Sequence, residues 1–320
     1  MKRQNHHLWK ICCLILLLGV LSACGTSAVQ PSGSSTDAEP ASENEETVLY
    51  QAANGEVRIP KNPERIVVLA DSYVGYFLAL GIKPVGATDH ALQNPYFQGM
   101  TDGIENLGDG KSVEKILELQ PDLIITFSGV ENIGKLEKIA ATVAVEYGKT
   151  GYREQLREFG KMTGREEQAN EWIAEWDRKL AEQKQKVTAA VGDQTVSILS
   201  PYAKGIYAYG HNYARGGEIL YLEFQLKAPE LIQQEAIDSG QGWVSLSLER
   251  LPDYAGDYIF TCDWSGDDAD PSAVYDSSIW QGLPAVQNDR VFQIDPIAAY
   301  FNDPISLEKH LEFIVEKLTQ

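Results

Sequence analysis

The sequence predicts an α/β protein of two lobes joined by a long helix, and three observations carry that prediction. Short apolar β-type runs alternate with helix-like segments on both sides of the chain's middle. Between them, over residues 152–187, the β signal vanishes, and Ala169, Trp172, Ile173, Trp176 and Leu180 recur at helical spacing with charges between them. Finally, about 265 residues follow the N-terminal segments, enough for two medium globular units.

In the first lobe, Arg65-Ile66-Val67-Val68-Leu69-Ala70 predicts a strand, Asp71-Ser72 a helix N-cap, and residues 73–80 a helix stopped by Gly81. Pro84-Val85-Gly86-Ala87 predicts a second strand. Residues 111–119 form a helix with Val113, Ile116 and Leu117 on one face, followed by the strand Leu123-Ile124-Ile125-Thr126-Phe127. A helix over 133–141 and a strand over 143–146 complete the lobe, whose alternation implies a mainly parallel sheet.

After the helical stretch the alternation restarts, with strands predicted at 195–199, 206–209 as its hairpin partner, 258–260 and 291–294. Helices fall at 217–224 and 303–318, and a helix or turn at 247–254. The resulting domain plan is 1–23 signal, 24–55 disordered tether, 56–151 first α/β lobe, 152–190 linker helix region and 191–320 second α/β lobe.

The N-terminus carries its own message. Lys2, Arg3 and Lys10 precede an apolar run that ends in Leu21-Ser22-Ala23-Cys24. A stretch of about 14 residues rises only about 21 Å as a helix, short of the roughly 30 Å hydrocarbon core, so it reads as a secretory signal and not a membrane span. Small residues before a cysteine fit a lipoprotein signal that leaves Cys24 lipidated as the new first residue. The stretch after it, to about residue 46, is rich in Ser, Ala, Gly, Pro, Thr and acid.

Cys12 and Cys13 leave with the signal and Cys262 stands alone in the folded part, so no disulfide framework supports the mature chain. The signal removes three Lys/Arg and no Asp/Glu, which takes the formal charge from −19 to −22. Such acidity excludes nucleic acid and an anionic membrane surface as partners, leaving the lipid anchor as the membrane contact.

Catalytic signatures are absent: there is no Gly-x-Ser-x-Gly elbow, no phosphate-binding glycine loop, no Cys-x-x-Cys, no Gly-x-Gly-x-x-Gly and no carboxylate dyad. The expectation is a binding protein, not an enzyme. His90, His211 and His310 fall at no metal-motif spacing, which disfavours a zinc- or manganese-binding lipoprotein.

Several stretches then carry a resemblance. They are Ile59-Pro60-Lys61-Asn62-Pro63-Glu64-Arg65, Leu80-Gly81-Ile82-Lys83-Pro84-Val85-Gly86, Ser112-Val113-Glu114-Lys115-Ile116 and Gln120-Pro121-Asp122-Leu123 in the first lobe. Arg215-Gly216-Gly217-Glu218-Ile219-Leu220-Tyr221, Ser247-Leu248-Glu249-Arg250-Leu251-Pro252 and Phe301-Asn302-Asp303-Pro304 follow in the second. In order and spacing, over residues 56–318, the chain resembles the substrate-binding proteins for iron-siderophores, cobalamin and haem, and most of all Gram-positive iron-siderophore lipoproteins.

That resemblance implies two Rossmann-like lobes joined by a single long α-helix, as in class III periplasmic binding proteins, with small closure movements around a cleft. It implies a monomer that hands an iron(III)-siderophore to the membrane permease subunits of an ABC importer. It further implies that Glu114 and Glu249 dock on permease arginines, although Ser-x-Glu at a helix start also suits capping and the helix dipole.

Because the iron of a ferric siderophore is already chelated, no intrinsic cofactor and no protein metal ligand are expected; aromatic and charge-assisted contacts hold the organic shell. Loop residues of that type are Tyr73, His90, Ser128, Tyr202, Tyr209, His211, Arg215, Trp243, Trp264 and Tyr300. Tyr209 and Tyr300 equally suit packing between lobes, and Arg215 an acid pair; Trp243 and Trp264 sit in turn-like stretches. Many relatives carry a basic residue where this chain has Ser200-Pro201-Tyr202, a departure that favours a ferric hydroxamate or mixed citrate-type ligand. Haem, cobalamin and catecholate siderophores remain alternatives for the same fold.

Overall fold

The computed structural model describes residues 46–202, 205–263 and 270–320. The first strands, β1 (Thr47–Ala52) and β2 (Gly55–Pro60), form an antiparallel hairpin. This corrects the tether expected over 24–55, whose last residues are ordered strand. The turn lies at Ala53-Asn54, followed by Gly55 at φ +109°, and the Asn54 side chain binds the next sheet by donating to Thr142 O and accepting from Ala144 N, both at 3.0 Å. Asn-Gly is a strong hairpin signal. The remainder of that tether, residues 1–23 and Cys24 lie outside the described residues.

Five parallel strands build the first lobe: β3 (Ile66–Val68), β4 (Gly86–Ala87), β5 (Glu105–Asn106), β6 (Leu123–Phe127) and β7 (Ala141–Val145), in the order β5-β4-β3-β6-β7. Strands covered on both faces read as unbroken apolar runs, which is why 123–127 was legible in sequence. Its first four residues are buried. The helices between them are short, at Val74–Ala79, Val113–Glu118 and Ile133–Leu136.

The helical connection is two helices, not one. Tyr152–Met162 ends at Gly164, which takes φ +66°, a left-handed conformation natural to glycine after a helix C-terminus, and Glu166–Val191 then runs for 26 residues. The longer helix buries Ala169, Ile173, Trp176, Leu180, Val187 and Val191 along one stripe. Its Trp176 is fully buried, donates to Tyr152 Oη at 2.7 Å, and stacks on Trp172 at 5.4 Å.

The second lobe holds β8 (Val196–Tyr202), β9 (Gly205–Tyr209), β10 (Trp243–Leu246), β11 (Tyr258–Thr261) and β12 (Val291–Gln293) in the order β10-β9-β8-β11-β12. The β8, β11 and β12 strands are parallel, and β9 and β10 add antiparallel pairs at one edge. The stretch predicted as helix at 217–224 is a wide helical turn, Glu218–Glu223, with Phe224 N–H bonded to Ile219 O. The chain ends in the helix Pro304–Leu318, capped by Asp303, whose carboxylate accepts from Ile305 and Ser306 N–H.

Candidate functional site

α/β sheets place their sites where parallel strands end. Here such ends from both lobes meet in a cleft of about 450 Å³. From the first lobe come Asp71 and Ser72 just after β3, His90 after β4, Phe127 at the end of β6 and Tyr147 after β7. The second lobe presents Tyr207 and Tyr209, which share one face of β9 because side chains alternate along a strand. It adds Tyr213 and Arg215 from the following loop, Trp243 at the start of β10 and Tyr300 from the turn Ala298–Tyr300.

Arg215 is the charge at the centre of this aromatic wall, with 4% of its surface exposed. Its guanidinium carbon lies 4.0 Å from the Tyr209 ring centroid and 4.8 Å from that of Tyr300, and Nη1 donates to Tyr213 O at 2.7 Å. The backbone reaches this position through unusual conformations: Ala214 and Arg215 both have φ +58°, and Arg215 N–H donates to Ala299 O. Gly217 presses so closely on the Gly210 backbone that a side chain would not fit. The Arg-Gly-Gly stretch is thus the device that turns Arg215 inward.

On the facing wall His90 Nδ1 bonds Asp71 Oδ2 at 2.7 Å, and that hydrogen bond holds the imidazole pKa above its usual value despite partial burial. The ring stacks on Phe301 at 5.3 Å and meets Tyr300 edge-on at 5.4 Å. Burial pushes the Tyr209 and Tyr147 phenols upward, so both stay neutral hydroxyl donors. The cleft therefore offers aromatic faces, phenol O–H groups, one guanidinium and one histidine-carboxylate pair.

Of the sequence-selected residues, His90, Tyr209, Arg215, Trp243 and Tyr300 come together in this cleft. Trp243 does so from a strand, paired with Tyr209, and not from a turn; its ring lies edge-on to Tyr207 at 5.5 Å. Tyr73 is instead buried in a cluster with Tyr76 and Phe159, and it shares with His211 a smaller neighbouring chamber. Ser128 continues the β6 edge, donating its N–H to Val145 O. Tyr202 stacks on Tyr207 at 4.5 Å and bonds Ser245 Oγ at an exposed position, and does not line the cleft itself. Trp264 lies outside the described residues.

The residues that sequence reasoning missed are Asp71, Ser72, Phe127, Tyr147, Tyr207 and Tyr213. Asp71 and Ser72 were read as a cap, yet Asp71 spends one oxygen on Ser72 N–H and the other on His90. Tyr207 had a usable signal in its spacing of two from Tyr209. Tyr147 and Tyr213 had none, because their rings meet across the lobes at 6.0 Å only after folding. Outside the cleft lining, Glu114 and Glu249 are exposed in the first turns of their helical segments, after Ser112 and Ser247. Ser247 hydrogen bonding lowers the Glu249 pKa.

The sequence profile of the periplasmic binding protein family matches residues 66–298, which span both sheets. The chain belongs to that family. Among its relatives, the iron(3+)-hydroxamate-binding protein FhuD of Bacillus subtilis is 51% identical over 308 residues, covering 96% of each chain. A crystal structure of an FhuD-fold binding component of a ferrichrome ABC transporter from Bacillus subtilis superposes with a TM-score of 0.80 at 53% identity, over 85% of this chain and all of that one. FhuD2 of Staphylococcus aureus with bound ferrioxamine B gives 0.73 at 32% identity, over 80% and 98% of the two chains. This periplasmic binding protein therefore has the two-lobe α/β fold expected from its sequence.

Proposed function

We propose that this protein is the extracytoplasmic substrate-binding component of an ABC importer, anchored by lipid on Cys24, and that it captures a ferric hydroxamate siderophore between its lobes. The observation that carries the reading is the buried Arg215 guanidinium set among Tyr209, Tyr300 and Trp243 at the junction of both lobes. A ferric hydroxamate brings its iron already coordinated and presents apolar arms and polarised oxygens. Aromatic faces suit the arms, and a guanidinium with neutral phenols suits the oxygens. The relatives named for hydroxamate, ferrichrome and ferrioxamine ligands support the same choice.

In this reading the protein needs no metal ligand of its own, works as a monomer, and presents Glu114 on one lobe and Glu249 on the other to arginines of the permease. Titration of the mature protein with ferric hydroxamates, ferric catecholates, haem and cobalamin tests it through tryptophan fluorescence. Ferric hydroxamates are expected to quench Trp243 with sub-micromolar affinity. Saturation by haem, cobalamin or a catecholate with no response to hydroxamates would reverse the assignment. Palmitate labelling that survives Cys24→Ser would remove the anchor from it.

A further inference from the structure

Asp71 follows β3 and His90 follows β4, and because these two strands pair in parallel, both side chains emerge together on the cleft wall of the first lobe. Nδ1 of the ring bonds Asp71 Oδ2 at 2.7 Å, and the other carboxylate oxygen accepts from Ser72 N–H at 2.8 Å. The carboxylate is thus held at both oxygens, and it in turn fixes the ring, which stacks on Phe301 and meets Tyr300 edge-on. With Nδ1 committed, Nε2 is the nitrogen left for the cleft, and it makes no hydrogen bond among the described residues.

A neutral imidazole whose Nδ1–H is spent on a carboxylate can only accept at Nε2, whereas the imidazolium donates there. The outer oxygens of a ferric hydroxamate are acceptors, so they select the charged ring. The groups around His90 favour that form. The hydrogen bond to Asp71 raises its pKa, desolvation opposes the rise, and the charges of Asp71 and Asp89 add to it. The Arg215 guanidinium is held on the Tyr300 ring, which meets the imidazole edge-on. We propose that Asp71 is a positioning residue that keeps His90 a charged donor, and that a ligand oxygen bonds Nε2, so that capture of the siderophore takes up a proton. This rests on the siderophore reading above and adds a second anchor to it, on the first lobe, where Arg215 serves the second. The sign follows from linkage: affinity is full where the free protein already carries the proton, and it falls as pH rises through the His90 pKa.

The test titrates the intact mature protein calorimetrically with ferrichrome, whose own charge is constant across the range, between about pH 6 and about pH 9, which brackets histidine. Buffers of different ionisation enthalpy read the proton uptake. Affinity should fall about tenfold from the lower to the higher pH, as loss of one charge-assisted bond gives, with protons taken up along the fall. His90→Gln should bind with a flat profile and no uptake, which also separates His90 from any other group that titrates. Asp71→Asn keeps an oxygen for Nδ1–H but removes the charge, and should move the fall to lower pH by about one unit. If Asp71→Asn does not fold, His90→Gln carries the test through the proton count. A flat profile without proton uptake on the unmodified protein, or a fall that survives His90→Gln or stays in place in Asp71→Asn, would overturn the role of the pair and leave the siderophore reading standing. No binding of ferrichrome at any pH would remove both.

Discussion

The carboxylate of Asp303, in the second lobe, occupies the space where a side chain on Gly75, in the first, would have to lie. The helices Val74–Ala79 and Pro304–Leu318 thereby meet at van der Waals distance, and Asn94 Nδ2 to Ser306 Oγ at 3.0 Å and Tyr76 Oη to Asn302 O add hydrogen bonds across the same seam. Gly75→Ala should destabilise the protein by about 2–3 kcal/mol through overpacking. Thermal unfolding reads this as a loss of several degrees, and an unchanged midpoint would show that the seam yields freely.

Two groups in and beside the C-terminal helix should oppose each other in acid. Burial pushes His310 down to about 4 from 6.5, so between those values the unfolded chain binds the extra proton and stability falls with pH. Burial pushes Asp303 up to about 6 from 3.8, so across that window the folded chain binds the proton first and acidification stabilises it. Each contribution is on the order of 3 kcal/mol. Denaturant unfolding at neutral pH and near the lower end of the windows should show Asp303→Asn losing stability more steeply with acid than wild type, and His310→Gln less steeply. Parallel slopes for the three proteins would contradict both assignments.

Arg215→Lys keeps the charge but loses the planar group that lies against Tyr209 and Tyr300. Affinity for a ferric hydroxamate should drop about tenfold to a hundredfold, with the fold intact by circular dichroism. Full affinity in this variant would place the ligand elsewhere.

Glu114→Ala and Glu249→Ala change exposed side chains that do not line the cleft. Siderophore affinity should stay within about twofold, as for surface substitutions in general, while cellular uptake of radioiron through the importer is lost. Variants that bind and transport normally would assign these carboxylates to helix capping alone.

The legible parts of this fold were those whose neighbours in sequence already reveal their environment. The run 123–127 was apolar at every position but Thr126 because a parallel strand inside the sheet is covered on both faces, and Ala169, Ile173, Trp176 and Leu180 marked one buried helical stripe. Gly164 and Asn54-Gly55 were local signals too, and reading them would have found the helix break and the hairpin. Trp243 could not be placed on a strand, because β10 exists only by pairing with β9 across 33 intervening residues.

The same division holds for the site. By itself the sequence determined the two-lobe α/β class and the family, and among the residues it picked out, His90, Tyr209, Arg215, Trp243 and Tyr300 line the cleft. Only the tertiary structure decided that Tyr73 and Tyr202 do not line the cleft, that Tyr147 and Tyr213 meet across it between lobes, and that Glu218 has one buried oxygen with no hydrogen-bond partner among the described residues. Pattern and turn chemistry act over a few residues and are written in the chain. Which side chains face each other across two lobes depends on how separate sheets pack, and no local spacing encodes that.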